Sequence, residues 1–138
     1  MYTKKEAFPD PFIGQYVGDG LAQFALHELF RYVDEDSKES VLVPIGFVTD
    51  GGSIPPMAYS IIGSPWRGKY VEAVIIHDWE CFLADTLKKR KKADKKFKKL
   101  LGILKVSFWK RELMYRGVRV GAWLNGKKIV AKGGEDNG

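Results

Sequence analysis

The sequence predicts an α+β fold in a single domain: a small antiparallel β-sheet, formed as a hairpin, packed against a three-helix region. Apolar and polar residues alternate between residues 21 and 44, as they do in half-buried strands. After residue 69, apolar residues recur at intervals of three and four, which is typical of amphipathic helices. The chain has 138 residues, of which 45% are hydrophobic and 29% charged, so its size and composition suit one globular domain.

The N-terminal part is expected to give an irregular lead-in over residues 1–20, which are rich in proline and glycine, followed by the strands. A strand is predicted over residues 21–33, where Glu28 interrupts the alternation. Its inward side would carry Phe24, Leu26, Phe30 and Tyr32. A polar turn at residues 34–39 separates it from a second strand at 41–44, so the two should form a hairpin.

Three helices are predicted in the C-terminal half. The first covers residues 69–84 and the second residues 91–104. The third should begin after Ser107, a suitable N-cap, and continue through Ala122. These elements define a domain over residues 21–126, and a polar, flexible C-terminal tail is expected over 127–138.

A loop with a composition suited to ligand binding lies between the strands and the helices. It contains the run Thr49, Asp50, Gly51, Gly52 and Ser53. Adjacent glycines allow the backbone to approach a ligand closely. The carboxylates of Asp50 and Asp78, together with loop carbonyls, are oxygen ligands of the kind that Ca²⁺ or Mg²⁺ prefers. The alternative is that Asp50 has a structural role only and stabilises a turn.

A candidate acid–base pair lies on the first two predicted helices. His77 and Asp78 are adjacent, so their side chains leave the helix about 100° apart, one toward a neighbouring helix and one toward a loop. A short connection makes the next helix antiparallel, which brings Asp94 near His77 and lets a carboxylate orient the imidazole as a general base. The alternative is a core histidine with one hydrogen bond. Cys81, at i+4, permits a Cys–His contact but no third orienting group is evident.

The basic residues of the chain are concentrated in one region. Residues 88–119 contain fourteen basic and two acidic residues, a net charge of +12, so the rest of the chain carries −6 of the overall +6. The candidates for binding an anionic partner, either nucleic acid or a lipid surface, are Lys88, Lys89, Arg90, Lys91, Lys92, Lys95, Lys96 and Lys99. The alternative is a solvated helix face that keeps the protein in solution.

Several classes of protein are excluded by what the sequence lacks. Cys81 is the only cysteine, and with two histidines it cannot supply a structural zinc site or an intrachain disulfide. There is no phosphate-binding loop or dinucleotide fingerprint. No apolar run is long enough to suggest a transmembrane segment, and the N-terminus does not resemble a signal peptide, so we expect synthesis in the cytoplasm.

Four segments, residues 43–55, 73–78, 93–97 and 113–119, together resemble a phage and prophage family, the domain of unknown function 1353. The resemblance covers residues 21–121. The residues that match the family pattern are Asp50, Ser53, Pro55, His77, Asp78 and Asp94. The chain departs from the pattern at Gly51 and Gly52, at residues 79–82, and at Pro56, where a basic residue that could hold an anion is usual. The resemblance implies a phage or prophage origin, with the cytoplasm of a host as the place of synthesis and the virion as a destination, but no established activity.

Three hypotheses on function follow. The first is a cation-assisted hydrolase of unknown substrate, with His77 as base, Asp94 as orienting residue, and Asp50 and Asp78 as ligands; its arrangement is similar to that of phospholipase A2, by analogy only. The second is a non-catalytic virion component of the tail, baseplate or connector type, with other virion proteins or further copies of itself as partners. The third is nucleic-acid binding through the basic helical hairpin. The hydrolase requires an open pocket, and the virion component requires closed, buried hydrogen bonds.

Overall fold

The computed structural model describes residues 2–17, 23–49 and 69–131. In these residues a one-turn helix comes first, short strands follow, and the longer helices come last. The strands are β1 (Gly14–Tyr16), β2 (Phe24–Leu26), β3 (Phe30–Val33), β4 (Ser40–Val43) and β5 (Val48–Thr49). The helices are α1 (Lys4–Ala7), α2 (Val71–Leu83), α3 (Leu87–Ile103), α4 (Phe108–Leu124) and α5 (Gly126–Ala131).

The strands form two antiparallel sheets. The predicted hairpin is β3–β4, in which Phe30 pairs with Val43. The other sheet has the order β1-β2-β5. The prediction of one strand over 21–33 is wrong, because the chain bends at His27 and Glu28 and the two halves join different sheets. The bend coincides with Glu28, where the apolar alternation is interrupted.

The N-terminal lead-in is more ordered than its composition predicted. Helix α1 begins after Thr3, whose hydroxyl accepts a hydrogen bond from the Glu6 backbone while the Glu6 carboxylate accepts one from the Thr3 backbone, a capping box. Strand β1 pairs with β2 over three residues. The Thr-x-x-Glu spacing was a signal for the helix, whereas β1 pairs with β2 and has no comparable local signal.

The three predicted helices are confirmed as α2, α3 and α4. Helix α3 begins at Leu87, four residues before the predicted start, because the Thr86 side chain caps it by accepting a hydrogen bond from Lys89 N. Helix α4 follows Ser107 as predicted, although that side chain forms no capping hydrogen bond. The first part of the predicted tail is helical in α5, where Ile129 is buried; residues 132–138 lie outside the described part.

One hydrophobic core joins the hairpin to the helices. Phe30 and Val43 of the hairpin, Ile75 of α2, Phe97 of α3 and Met114 of α4 are all essentially inaccessible to solvent. Helix α3 packs against both α2 and α4, and is therefore the central helix of the layer. This arrangement is the predicted α+β class. Within the described residues, no helix is long and apolar enough to cross a membrane.

Candidate functional site

The candidate acid–base pair is formed. His77 Nε2 lies 2.6 Å from Asp94 Oδ1, and both side chains have 0% exposure. Three residues, 84–86, connect α2 to α3, so the two helices lie side by side and their facing surfaces meet. The imidazole also packs on Phe97, with 4.6 Å between ring centroids. The predicted proximity of His77 and Asp94 is therefore confirmed.

Two arginines bind the same carboxylate. Arg90 Nε donates to Asp94 Oδ1 at 3.0 Å, and Arg119 Nη1 donates to Asp94 Oδ2 at 2.7 Å. Arg90 also donates from Nη2 to the Val118 carbonyl at 3.1 Å, which ties α3 to α4. Neither arginine was predicted from the sequence in this role. The i, i+4 spacing of Arg90 and Asp94 was a sequence signal for the Arg90 contact. No sequence pattern near Asp94 indicated the contact with Arg119.

These contacts set the protonation of the pair. Burial by itself lowers the pKa of His77, but the neighbouring Cys81 and the hydrogen-bonded Asp94 outweigh it and raise that pKa to about 9. Burial raises the pKa of Asp94, but the hydrogen bond with His77 and the charges of His77 and Arg90 hold it below its usual range. At neutral pH the pair is therefore an imidazolium with a carboxylate, and a protonated imidazole cannot accept a proton.

Cys81 lies beside the pair, with its Sγ 3.5 Å from His77 Nε2 and 3.8 Å from Nδ1. A Cys–His pair needs a third group to orient the imidazole, and Asp94 is in contact with that ring. However, Asp94 binds Nε2, which is also the ring nitrogen nearer to the Cys81 sulfur. A cysteine hydrolase needs the thiol and the carboxylate on opposite ring nitrogens. The three ligand atoms lie within 4.8 Å of one another, as a metal site requires. The two guanidinium groups on Asp94 oppose a cation there.

Asp78 points away from this pair toward the sheet. Its Oδ2 accepts a hydrogen bond of 2.6 Å from the Thr49 hydroxyl, at the end of β5, and both residues are buried. The adjacent histidine and aspartate therefore face a helix and a strand end respectively, as the helical turn predicted. The other predicted loop residues, Asp50, Gly51, Gly52 and Ser53, lie outside the described residues, so the cation site stays a prediction.

The basic residues of α3 divide into two groups. Arg90 was predicted to bind an anionic partner, and this is wrong, because its guanidinium is buried against Asp94. Four lysines of α3 form ion pairs within the chain: Lys89 with Asp85, Lys96 with Glu80, Lys98 with Glu112, and Lys99 with Asp34. The lysines that extend into solvent with no ion pair among the described residues are Lys88, Lys91, Lys92 and Lys95.

Comparisons with known proteins place the chain in a family without assigning an activity. An uncharacterized protein of Sinorhizobium fredii, y4iH, is 54% identical over 33 residues, which is 24% of this chain and 14% of that protein. A second from the same organism, y4jT, is 39% identical over 69 residues, or 49% of this chain and 20% of that protein. The chain thus matches at most a fifth of the length of either relative. No solved structure matches.

The model of the family described as protein of unknown function (DUF1353) matches residues 24–118. This segment begins at β2, ends within α4, and contains the His77–Asp94 pair. It confirms the resemblance that the sequence motifs predicted, and the chain therefore belongs to the DUF1353 family.

Proposed function

We propose that the chain is a non-catalytic structural component of a phage or prophage particle, of the tail, baseplate or connector type. One observation carries the non-catalytic part: the side chains of His77 and Asp94 have 0% exposure, and both carboxylate oxygens are bound by side chains of the same chain. An acid–base centre needs a group that can reach a substrate. The phage part rests on the family resemblance.

In this proposal the charged cluster holds the helices together. His77 belongs to α2, Arg90 and Asp94 to α3, and Arg119 to α4, so one carboxylate joins three helices. Buried charges with one partner removed destabilise a fold strongly, and such networks in some proteins select one packing arrangement over others. A rigid helical layer of this kind suits a subunit that must present a fixed surface to its neighbours.

The catalytic question is tested with purified protein and the His77→Asn variant. We expect no difference between the two in the hydrolysis of lipid-ester, phosphodiester and cell-wall substrates, with Ca²⁺ or Mg²⁺ present and at pH values on both sides of 9. Turnover by the natural protein that His77→Asn abolishes, while thermal unfolding shows the variant folded, would contradict the proposal.

The virion role is tested by mass spectrometry of particles from a strain that carries the gene. The chain should be present in the particles, and its absence would overturn a virion role.

A cation-assisted hydrolase is the second candidate, favoured by the position of Asp78. The Asp78 carboxylate is held 2.6 Å from the hydroxyl of Thr49, the residue before Asp50, while Asp94 holds His77 by Nε2. A ligand and a base would thus lie on one helix, with Nδ1 as the basic nitrogen. Calorimetric titration with Ca²⁺ and Mg²⁺ tests it: binding that Asp50→Asn and Asp78→Asn both abolish supports the site, and no binding by the natural protein contradicts it. Hydrolysis should then increase with pH through about 9, as His77 loses its proton.

A further inference from the structure

The outer side of α4 is unusually apolar for a surface helix. Its core side contributes Met114, Val118, Gly121 and Ala122. Large apolar side chains nevertheless extend into solvent from the same helix, with exposures from 52% to 81%: Phe108, Trp109, Val120, Trp123 and Leu124. Trp109, Val120 and Trp123 share a face with Arg116, because helical residues three, four or seven apart lie on one side. Exposed apolar sets of this kind mark interaction surfaces.

A row of lysines lies along the outer side of α3. Lys88, Lys91 and Lys95 are exposed and spaced by three and four residues, so they occupy one face. None of them forms an ion pair with another residue that the structure describes. In this they differ from Lys89, Lys96 and Lys99, which are paired with described carboxylates.

The exposed lysines of α3 and the exposed apolar residues of α4 lie on the same side of the α3–α4 hairpin. Lys98 and Glu112 form an ion pair of 2.5 Å that joins the two helices, and both side chains are partly exposed. Lys95 and Lys91 continue the face of Lys98 along α3, whereas Arg116 and Trp123 continue the face of Glu112 along α4. We name this surface the cationic–aromatic face: Lys88, Lys91, Lys95, Trp109, Arg116, Val120 and Trp123.

We propose that the cationic–aromatic face binds the surface of an anionic lipid bilayer. Tryptophan side chains favour the boundary between headgroups and acyl chains, and lysine stems extend along it to place the ammonium near phosphate. Helix α4, with 17 residues, presents a face about 25 Å long that can lie in the plane of the bilayer.

The aliphatic residues favour a lipid over a nucleic acid as the occupant. Val120 and Leu124 lie beside Trp123 with more than half of their surface exposed, and aliphatic side chains gain little from stacked bases or phosphates. In a bilayer they add buried apolar area. The positive charge of Lys88, Lys91, Lys95 and Arg116 selects anionic over neutral lipid. This inference does not depend on the proposed structural role.

Flotation with vesicles tests the proposal. The full chain is mixed with vesicles of phosphatidylcholine alone or with added phosphatidylglycerol, and the bound fraction is measured. We expect binding to the anionic vesicles with a blue shift of tryptophan fluorescence. Trp109→Gln/Trp123→Gln should reduce the affinity about tenfold or more, because most of the apolar contact is lost. The matched control is Leu42→Gln/Ile45→Gln. It replaces two apolar residues of similar exposure, 51% and 65%, which lie in and just after β4, and it should leave the affinity for vesicles unchanged.

The lysines are tested by Lys88→Gln/Lys91→Gln/Lys95→Gln. Each lysine near an anionic surface contributes roughly fivefold to the affinity, so the triple variant should lose the preference for anionic vesicles. Absence of flotation by the natural protein overturns the proposal, as does an equal loss in the control. Tighter binding to RNA or DNA, lost in the lysine variant but retained in the tryptophan variant, would assign the face to nucleic acid instead. Trp123→Gln alone replaces the double variant if thermal unfolding shows that the latter is not folded.

Discussion

The two sides of helix α3 both carry charged residues, but under opposite conditions. On its inner side, Arg90 and Asp94 are buried and every described charge near them is paired. On its outer side, Lys91 and Lys95 extend into water. A charge removed from water must be compensated by hydrogen bonds and opposite charge, whereas a hydrated lysine needs neither. Charged residues therefore hold the fold together on the inner side of α3 and extend into solvent on the outer side.

The largest expected effect is on the inner side. Asp94→Asn leaves two buried cationic groups without their carboxylate and should lower the free energy of unfolding by about 3–5 kcal/mol. Urea unfolding of both proteins measures the difference. Asp85→Asn is the matched control, because that carboxylate pairs with Lys89 at the surface, and it should lose less than about 1 kcal/mol. Equal losses would remove the distinction between the two sides.

A second effect comes from the protonation of His77. Its pKa is 6.5 in an unfolded chain and about 9 in the folded protein, so the folded state binds the proton more tightly. The stabilisation is complete below pH 6.5 and is lost as pH rises through 9, by about 3 kcal/mol in total. Thermal unfolding from pH 6 to 10 measures it. The decrease should be absent in His77→Gln; stability that is independent of pH in the natural protein would show that His77 is neutral.

The hydrogen bond between Thr49 and Asp78 should contribute less. Thr49→Val keeps the shape of the side chain but removes the hydroxyl that donates to the buried carboxylate. The free energy of unfolding should decrease by about 2 kcal/mol, since the acceptor is charged. Thr49→Ser is the control and should recover most of this loss. If the valine variant is as stable as the natural protein, Asp78 is satisfied without this donor.

The smallest effect on stability is expected on the outer side of α3. Lys91→Gln and Lys95→Gln should each change the free energy of unfolding by less than about 0.5 kcal/mol in either direction, because no described residue pairs with them. The same urea experiment measures it. A loss comparable to that of Asp94→Asn would mean that the lysines stabilise the fold, and would leave the lipid-binding proposal without free charges.

The fold class and the three long helices were predictable because their signals are local. The three- and four-residue apolar spacing predicted α2, α3 and α4, and the short connection between helices predicted that Asp94 approaches His77. The start of α3 was placed too late, because the lysine run hid the cap at Thr86. Capping by a single hydroxyl determines such a boundary, and hydrophobic periodicity does not report it.

The sequence by itself determined the three long helices α2, α3 and α4, the residues that form the β3–β4 hairpin, and the approach of Asp94 to His77. Only the tertiary structure decided that residues 24–33 serve two sheets, that Arg119 reaches Asp94 from 25 residues away, and that Arg90 is buried among exposed lysines. The physical reason is the range of the interactions. Helical periodicity and caps act within a few residues, whereas strand pairing and the compensation of buried charge depend on partners that only the folded chain brings together.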